Sequence, residues 1–171
     1  MRSILMVLVL VVLMALQSPI FGLLGIRASL LDLPLIATLY LAGSSRALRG
    51  FVASAFVGLV ADAFTPGGLL GMNAEIHGIL FLLALGLAAR FPLTRPVPLV
   101  LVTAVSSVLK TLLFYLFSIL FDRAFEPRVE VLLWGLPTAL ATAVLAPLLF
   151  LPFAGVDRMV QGRRPTESLL R

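Results

Sequence analysis

Long apolar stretches, separated by short polar turns, make up most of this chain. A helix that crosses the hydrocarbon core of a bilayer needs about 20 predominantly apolar residues. The pattern therefore predicts six membrane-spanning helices, of which the second and third are the shortest. They are expected at about residues 3–24, 30–43, 50–64, 72–91, 96–121 and 131–153.

Composition favours a membrane protein over a water-soluble one. Hydrophobic residues make up 61% of the chain and charged residues only 12%, and the mean hydropathy is +1.14. A soluble domain carries about 25% charged residues, so this chain has too few to cover a soluble surface. We expect an all-α polytopic membrane protein, with a single six-helix domain over residues 1–155 and a basic cytoplasmic tail over residues 156–171.

The arginines predict how the helices are oriented. If the N-terminus is cytoplasmic, nine arginines fall on the cytoplasmic side of the six spans and three on the outer side. Positive residues are enriched in cytoplasmic loops, so this bias predicts that the N- and C-termini are both cytoplasmic. The same rule explains the pI near 11.1 without a nucleic-acid partner.

One stretch, GLVADAFTPGGLLGMNAEIH at residues 58 to 77, interrupts the apolar pattern. It places Asp62, Asn73, Glu75 and His77 around a Pro-Gly-Gly turn. Its position between the third and fourth spans predicts a tight hairpin at the outer face. Ionisable residues within spans usually face a bundle interior, a wet cavity or a partner.

Two further ionisable residues, Asp32 and Lys110, are predicted at a similar depth. We expect them to join the four polar residues of the hairpin in one polar pocket, closed toward the cytoplasm. Lys110 is expected to pair with Asp62 or Glu75. Two simpler interpretations stand beside this one: Asp32 lies among the lipid headgroups, and Glu75 is an acid favoured by the dipole at a helix N-terminus.

The residue types argue against catalysis and against a metal. The chain has no cysteine and one histidine, and Glu75 and His77, two positions apart, do not share a helix face. Ser106 and Ser107 lie within one turn of Lys110, but serines in membrane helices more often bond their own backbone or a neighbouring helix. We expect no catalytic residue, cofactor or metal.

Small residues recur at every fourth position of the third span. Gly50, Ser54 and Gly58 form a small-xxx-small stripe that allows a second helix to approach closely. That helix belongs either to this chain or to a partner, and packing within the chain is the more common outcome.

The polar hairpin and its flanks resemble the bacterial rod shape-determining protein MreD family. That family has an apolar segment ending in Gly-Leu-x-x-Asp, then a turn, then Leu-Gly-x-Asn-Ala at the start of the next helix. Here the three pieces read GFVASAFVGLVAD, AFTPGG and LLGMNA, and the upstream LPLIATLYLA is similar to the family's second span. The matching positions are Gly50, Phe51, Ala55, Phe56, Gly58, Leu59, Asp62, Leu70, Gly71, Asn73 and Ala74.

The resemblance implies a non-enzymatic role in cell elongation. Members pair with the bitopic protein MreC in the bacterial inner membrane. Through it they connect with MreB, with RodA and with the penicillin-binding protein that partners RodA. The family is also similar in helix arrangement to the substrate-binding subunits of energy-coupling-factor transporters. We therefore expect a multi-pass scaffold for peptidoglycan synthesis, and the alternative is a small-molecule, vitamin-type binding subunit of a transporter.

Overall fold

The computed structural model describes residues 2–23, 25, 30–64, 69–93, 95–122 and 129–161, and the structural statements below concern these residues. They form six α-helices and no strand, which confirms an all-helical fold. The helices are α1 (Arg2–Leu23), α2 (Leu33–Ser44), α3 (Ala47–Phe64), α4 (Met72–Ala88), α5 (Pro96–Phe121) and α6 (Val129–Gln161).

Four of these helices have the length and apolar character needed to cross a membrane. They are α1, α3, α5 and α6, whereas α2 and α4 are shorter apolar helices. Large apolar side chains cover the outside of the bundle; those of Val97, Leu101 and Val105 on α5, spaced four residues apart, are all exposed. Such a surface is typical of a protein that lipid surrounds, and the chain is accordingly a helical membrane protein.

The short helix α2 lies at the centre of the bundle and contacts each of the other five helices. Every residue from Leu33 to Leu39 is buried. At 1.5 Å per residue, a helix of 12 residues is about 18 Å long, well short of the roughly 30 Å hydrocarbon core. Helix ends and non-helical backbone at membrane depth are tolerated where protein surrounds them, and the position of α2 meets that condition.

Helices α3 and α4 form an antiparallel hairpin in which glycines face aromatic rings. A Cβ atom on Gly50 of α3 would strike the ring of Phe81 on α4. The second contact has the glycine on α4 and the ring on α3: a Cβ on Gly78 would lie 3.1 Å from the ring of Phe51. Each ring thus fills the space above a glycine of the facing helix, which brings the two helices close together.

The last helix is longer than the sequence pattern predicts. It continues from the expected end at residue 153 to Gln161, and Pro137, Pro147 and Pro152 all lie inside it. The added turns are packed onto the bundle, since Val156 is buried and Asp157 accepts a hydrogen bond from the Tyr40 hydroxyl at 2.7 Å. Residues 156–161 therefore belong to α6, and the remainder of the predicted tail lies outside the described residues.

Candidate functional site

Of the six polar residues predicted to share a pocket, Glu75 is exposed and the other five lie in two groups. The first, which we call the Asp32 cluster, consists of Asp32, Lys110, Thr142, Thr38 and His77. The second, which we call the Asp62 turn, consists of Asp62, Gly71 and Asn73. Since Asn73 and His77 are one helical turn apart on α4 and both are buried, the two groups are stacked along the same helix.

Asp32 ties the start of α2 to α5 and α6. One oxygen, Oδ1, accepts a hydrogen bond from the Leu35 backbone N–H at 3.1 Å and so caps the helix. The other, Oδ2, accepts from the Lys110 ammonium on α5 at 2.6 Å. The Asp32 backbone N–H donates to the Thr142 hydroxyl of α6 at 3.0 Å. Three helices therefore meet at Asp32, α2 and α5 through its carboxylate and α6 through its backbone N–H.

This ion pair corrects the predicted partner of Lys110. The expectation that Lys110 pairs with Asp62 or Glu75 is wrong, because the oxygens of Asp62 are occupied by α4 and the side chain of Glu75 is exposed. The interpretation of Asp32 as a residue at headgroup depth stays a prediction, but its side chain contacts protein. The side chains of Lys110 and Asp32 are only 17% and 11% exposed, so the pair lies largely inside the protein.

His77 lies in the bundle interior and is fully buried. Its Nδ1 shares a hydrogen bond of 2.8 Å with the Thr38 hydroxyl of α2, and it lies close enough to Asp32 and Lys110 to interact with both charges. Its Nε2 has no hydrogen-bond partner within the described part of the chain, and the same is true of the Ser54 hydroxyl on α3. The facing pairs Gly50–Phe81 and Gly58–Ala74 place Ser54 at the level of His77 across the hairpin.

The Asp62 turn joins the end of α3 to the start of α4. Oδ2 of Asp62 accepts from the Gly71 N–H at 2.8 Å, while Oδ1 accepts from the Asn73 N–H at 3.1 Å and from the Asn73 side-chain amide at 2.9 Å. Gly71 is the N-cap residue of α4 and has a left-handed φ of 98°, which glycine adopts without strain. Because glycine has no capping side chain, Asp62 supplies the oxygen that the helix terminus needs.

A close approach of the two backbones completes this turn. A Cβ on Gly58 would collide with the carbonyl oxygen of Asn73 and with the backbone of Ala74. Gly50 and Ser54 are also buried in the α3–α4 hairpin, so the small-residue stripe packs within the chain. Leu59, the remaining position of the family motif, is exposed. Residues 65–68 of the predicted turn lie outside the described residues.

Two threonines and a tyrosine complete these contacts, and the sequence pattern does not indicate them. Thr38 and Thr142 are fully buried and bond His77 and Asp32, and Tyr40 bonds Asp157 while its ring packs against Phe150 at 5.3 Å. Threonine is common in membrane helices, where it bonds its own backbone, so its presence alone signals no contact. Tyr40 lies within the LPLIATLYLA segment, where no local pattern indicates a contact 117 positions away.

Two of the open cavities among the described residues lie outside both polar groups. A cleft of about 630 Å³ is lined by parts of α2, α4, α5 and α6, including Tyr40, Ser44 and Arg158. An apolar groove of about 760 Å³ lies between α1, from Ile4 to Val11, and α3, from Leu48 to Phe56.

The charged groups of the Asp32 cluster and the Asp62 turn make contacts within the helix bundle. The acids hold helix ends and an ammonium, and within the part of the chain that the structure describes no three His, Asp or Glu side chains come together as a metal site. In comparisons with known proteins, the chain matches no protein-family profile, no curated protein and no solved structure.

Proposed function

We propose that this protein is a non-enzymatic, multi-pass component of the bacterial inner membrane that acts as a scaffold in the cell-elongation machinery and binds the bitopic protein MreC. The observation that carries the proposal is the Asp62 turn. Gly58 and Asp62 lie in one piece of the MreD-like motif and Gly71, Asn73 and Ala74 in the other, and the two pieces meet in the fold. Residues that resemble the family thus belong to one structural unit.

This unit accounts for the residue types at the motif positions. Gly58 permits the close approach of two backbones, Gly71 adopts a positive φ, and Asp62 caps α4 through Gly71 and Asn73. A tightly packed hairpin of this kind suits a scaffold, because pre-organised surfaces bind a partner with little change of backbone. The proposed links to MreB, RodA and the penicillin-binding protein run through MreC.

The test is co-expression of the tagged chain with the MreC protein of the same genome. We expect the two to co-purify in mild detergent, whereas an unrelated single-span protein expressed at the same level does not. Deletion of the gene in the native host is expected to turn rods into round cells. Rods that keep their shape, together with failure to co-purify, would contradict the proposal.

A second candidate function, a small-molecule binding subunit of a transporter, is supported by the Asp32 cluster. His77 is fully buried beside an ion pair, and its Nε2 has no hydrogen-bond partner among the described residues. Buried ionisable groups in membrane bundles frequently mark ligand or ion sites. A small molecule that is retained through purification, and lost from a His77→Phe variant, would favour this second function; a deletion strain that requires a nutrient but stays rod-shaped would point the same way.

A further inference from the structure

The groove between α1 and α3 is built from one face of each helix. On α1 the lining positions Ile4, Val7, Leu8 and Val11 recur with helical spacing, and on α3 Arg49, Val52, Ala53 and Phe56 follow the same pattern. Helix α1 packs mainly on α6 and α2 and only slightly on α3, so a wedge of about 760 Å³ is left between them.

The length of the groove matches one leaflet of a bilayer. Eight residue steps from Leu48 to Phe56 correspond to about 12 Å along the helix axis. One leaflet of the hydrocarbon core is about 15 Å deep, half of the total. A partner's transmembrane helix would need a groove through both leaflets, whereas an acyl chain occupies one.

The groove has a cationic end. Arg49 is the only charged residue among those that line it in the described part of the chain, and Arg46 directly precedes α3. Both arginines are exposed, and the first turn of α3 has no acidic residue. The N-terminus of a helix adds partial positive charge at the same end. The arginine bias of the whole sequence predicts that this end faces the cytoplasm.

We propose that this groove binds one anionic phospholipid of the inner leaflet, with an acyl chain along α1 and α3 and the phosphate at Arg49 and Arg46. Basic pockets between membrane helices on the cytoplasmic side are known to hold anionic headgroups. The apolar walls and the cationic end complement the two parts of such a lipid.

The experiment is native mass spectrometry of the full chain in detergent, with added phosphatidylglycerol or phosphatidylcholine of identical acyl chains. We expect the wild-type protein to retain the anionic lipid in preference to the zwitterionic one. Arg49→Gln should lower retention of phosphatidylglycerol about fivefold, the usual effect of one basic residue near the membrane surface. The matched control is Arg90→Gln, since Arg90 is exposed beyond the end of α4 and should leave retention unchanged.

A second variant tests the groove itself. Val52 is 60% exposed, so Val52→Trp fills the groove without disturbing the core and should lower retention of both lipids. Equal retention of the two lipids by the wild type would overturn the proposal. So would an equal loss in Arg49→Gln and Arg90→Gln, or a folded Val52→Trp variant that binds as the wild type does. A second copy of the chain that covers the groove and excludes lipid would also overturn it.

Discussion

At the scale of single residues, two half-buried carboxylates cap the two shortest helices. Asp32 caps α2 from within its own chain segment, and Asp62 caps α4 from the end of α3. Each also makes a contact beyond the cap, Asp32 with Lys110 and Asp62 with the amide of Asn73. Backbone N–H groups at a helix start must find acceptors where water is scarce, which explains acids at both places.

The Asp62 turn predicts a measurable loss of stability in Asp62→Asn. An amide offers one acceptor oxygen where the carboxylate offers two, so at least one of the N–H groups of Gly71 and Asn73 loses its partner. We expect the free energy of unfolding to fall by about 1–3 kcal/mol, measured by reversible unfolding in detergent micelles. Glu75→Gln is the control, because this acid is exposed in the same hairpin and its change should stay within about 0.5 kcal/mol. Equal effects of the two substitutions would contradict the capping role.

The ion pair predicts non-additive effects of substitution. Lys110→Met leaves the Asp32 carboxylate buried without its cation and should cost about 3–5 kcal/mol of unfolding free energy. The double variant Asp32→Asn/Lys110→Met removes both charges while the amide oxygen still accepts from the Leu35 N–H. We expect it to be more stable than Lys110→Met alone, as measured by the same unfolding assay. A double variant whose cost equals the sum of the two single costs would show that the pair is not coupled.

At the scale of helices, the α3–α4 hairpin depends on glycines, whose lack of a side chain lets the two helices approach closely. Gly58 lies against the backbone of Asn73 and Ala74, and Gly50 lies beneath the ring of Phe81. Backbone atoms of a packed helix cannot move aside as the end of a flexible side chain does. The stripe of small residues is therefore a requirement of the hairpin.

Alanine substitutions distinguish this requirement from the general helix propensity of glycine. Gly58→Ala should destabilise the protein by about 1–3 kcal/mol or more, because the added methyl group overlaps the backbone of α4. Gly86→Ala is the matched control on α4, where an added Cβ meets nothing within 4 Å. It should be neutral or stabilising by up to about 1 kcal/mol, since alanine favours a helix. Thermal unfolding followed by circular dichroism measures both, and a neutral Gly58→Ala would contradict the close packing.

At the scale of the whole molecule, α2 is enclosed by the other helices and α1 lies at the edge of the bundle. The central position of α2 explains why a helix of 12 residues is stable within a membrane protein: it is surrounded by protein. Its two ends are held by polar contacts, from Asp32 to Lys110 at the start and from Tyr40 to Asp157 near the end. These contacts connect it to α5 and α6.

The predicted arrangement of six crossings can be tested directly because the chain has no cysteine. Single cysteines at Arg46, Leu70 and Arg90 lie before α3, between α3 and α4, and after α4, and all three positions are exposed. We expect a membrane-impermeant maleimide to label Leu70→Cys in spheroplasts, and Arg46→Cys and Arg90→Cys only after the membrane is permeabilised. Labelling of all three from the same side would mean that α3 and α4 do not cross.

The local pattern of apolar and polar residues is enough to predict the helices and the class of protein. Apolar length, polar turns and few charges predicted six helices and a membrane protein, and the described residues contain these six helices. The glycines, Asp62 and Asn73 predicted a tight hairpin because turn chemistry depends on neighbours in sequence.

Contacts between residues far apart in the sequence cannot be predicted from that local pattern. Lys110 bonds a residue 78 positions away, and Tyr40 bonds one 117 positions away. The choice of Asp32 over Asp62 depends on which helices are adjacent and on which carboxylate oxygens are already used, and neither can be read from spacing along the chain. The same holds for the end of α6, where packing of Val156 and Asp157 on the bundle keeps a polar segment helical. Helix formation follows from neighbours in sequence, whereas partner choice among buried polar groups follows from neighbours in space.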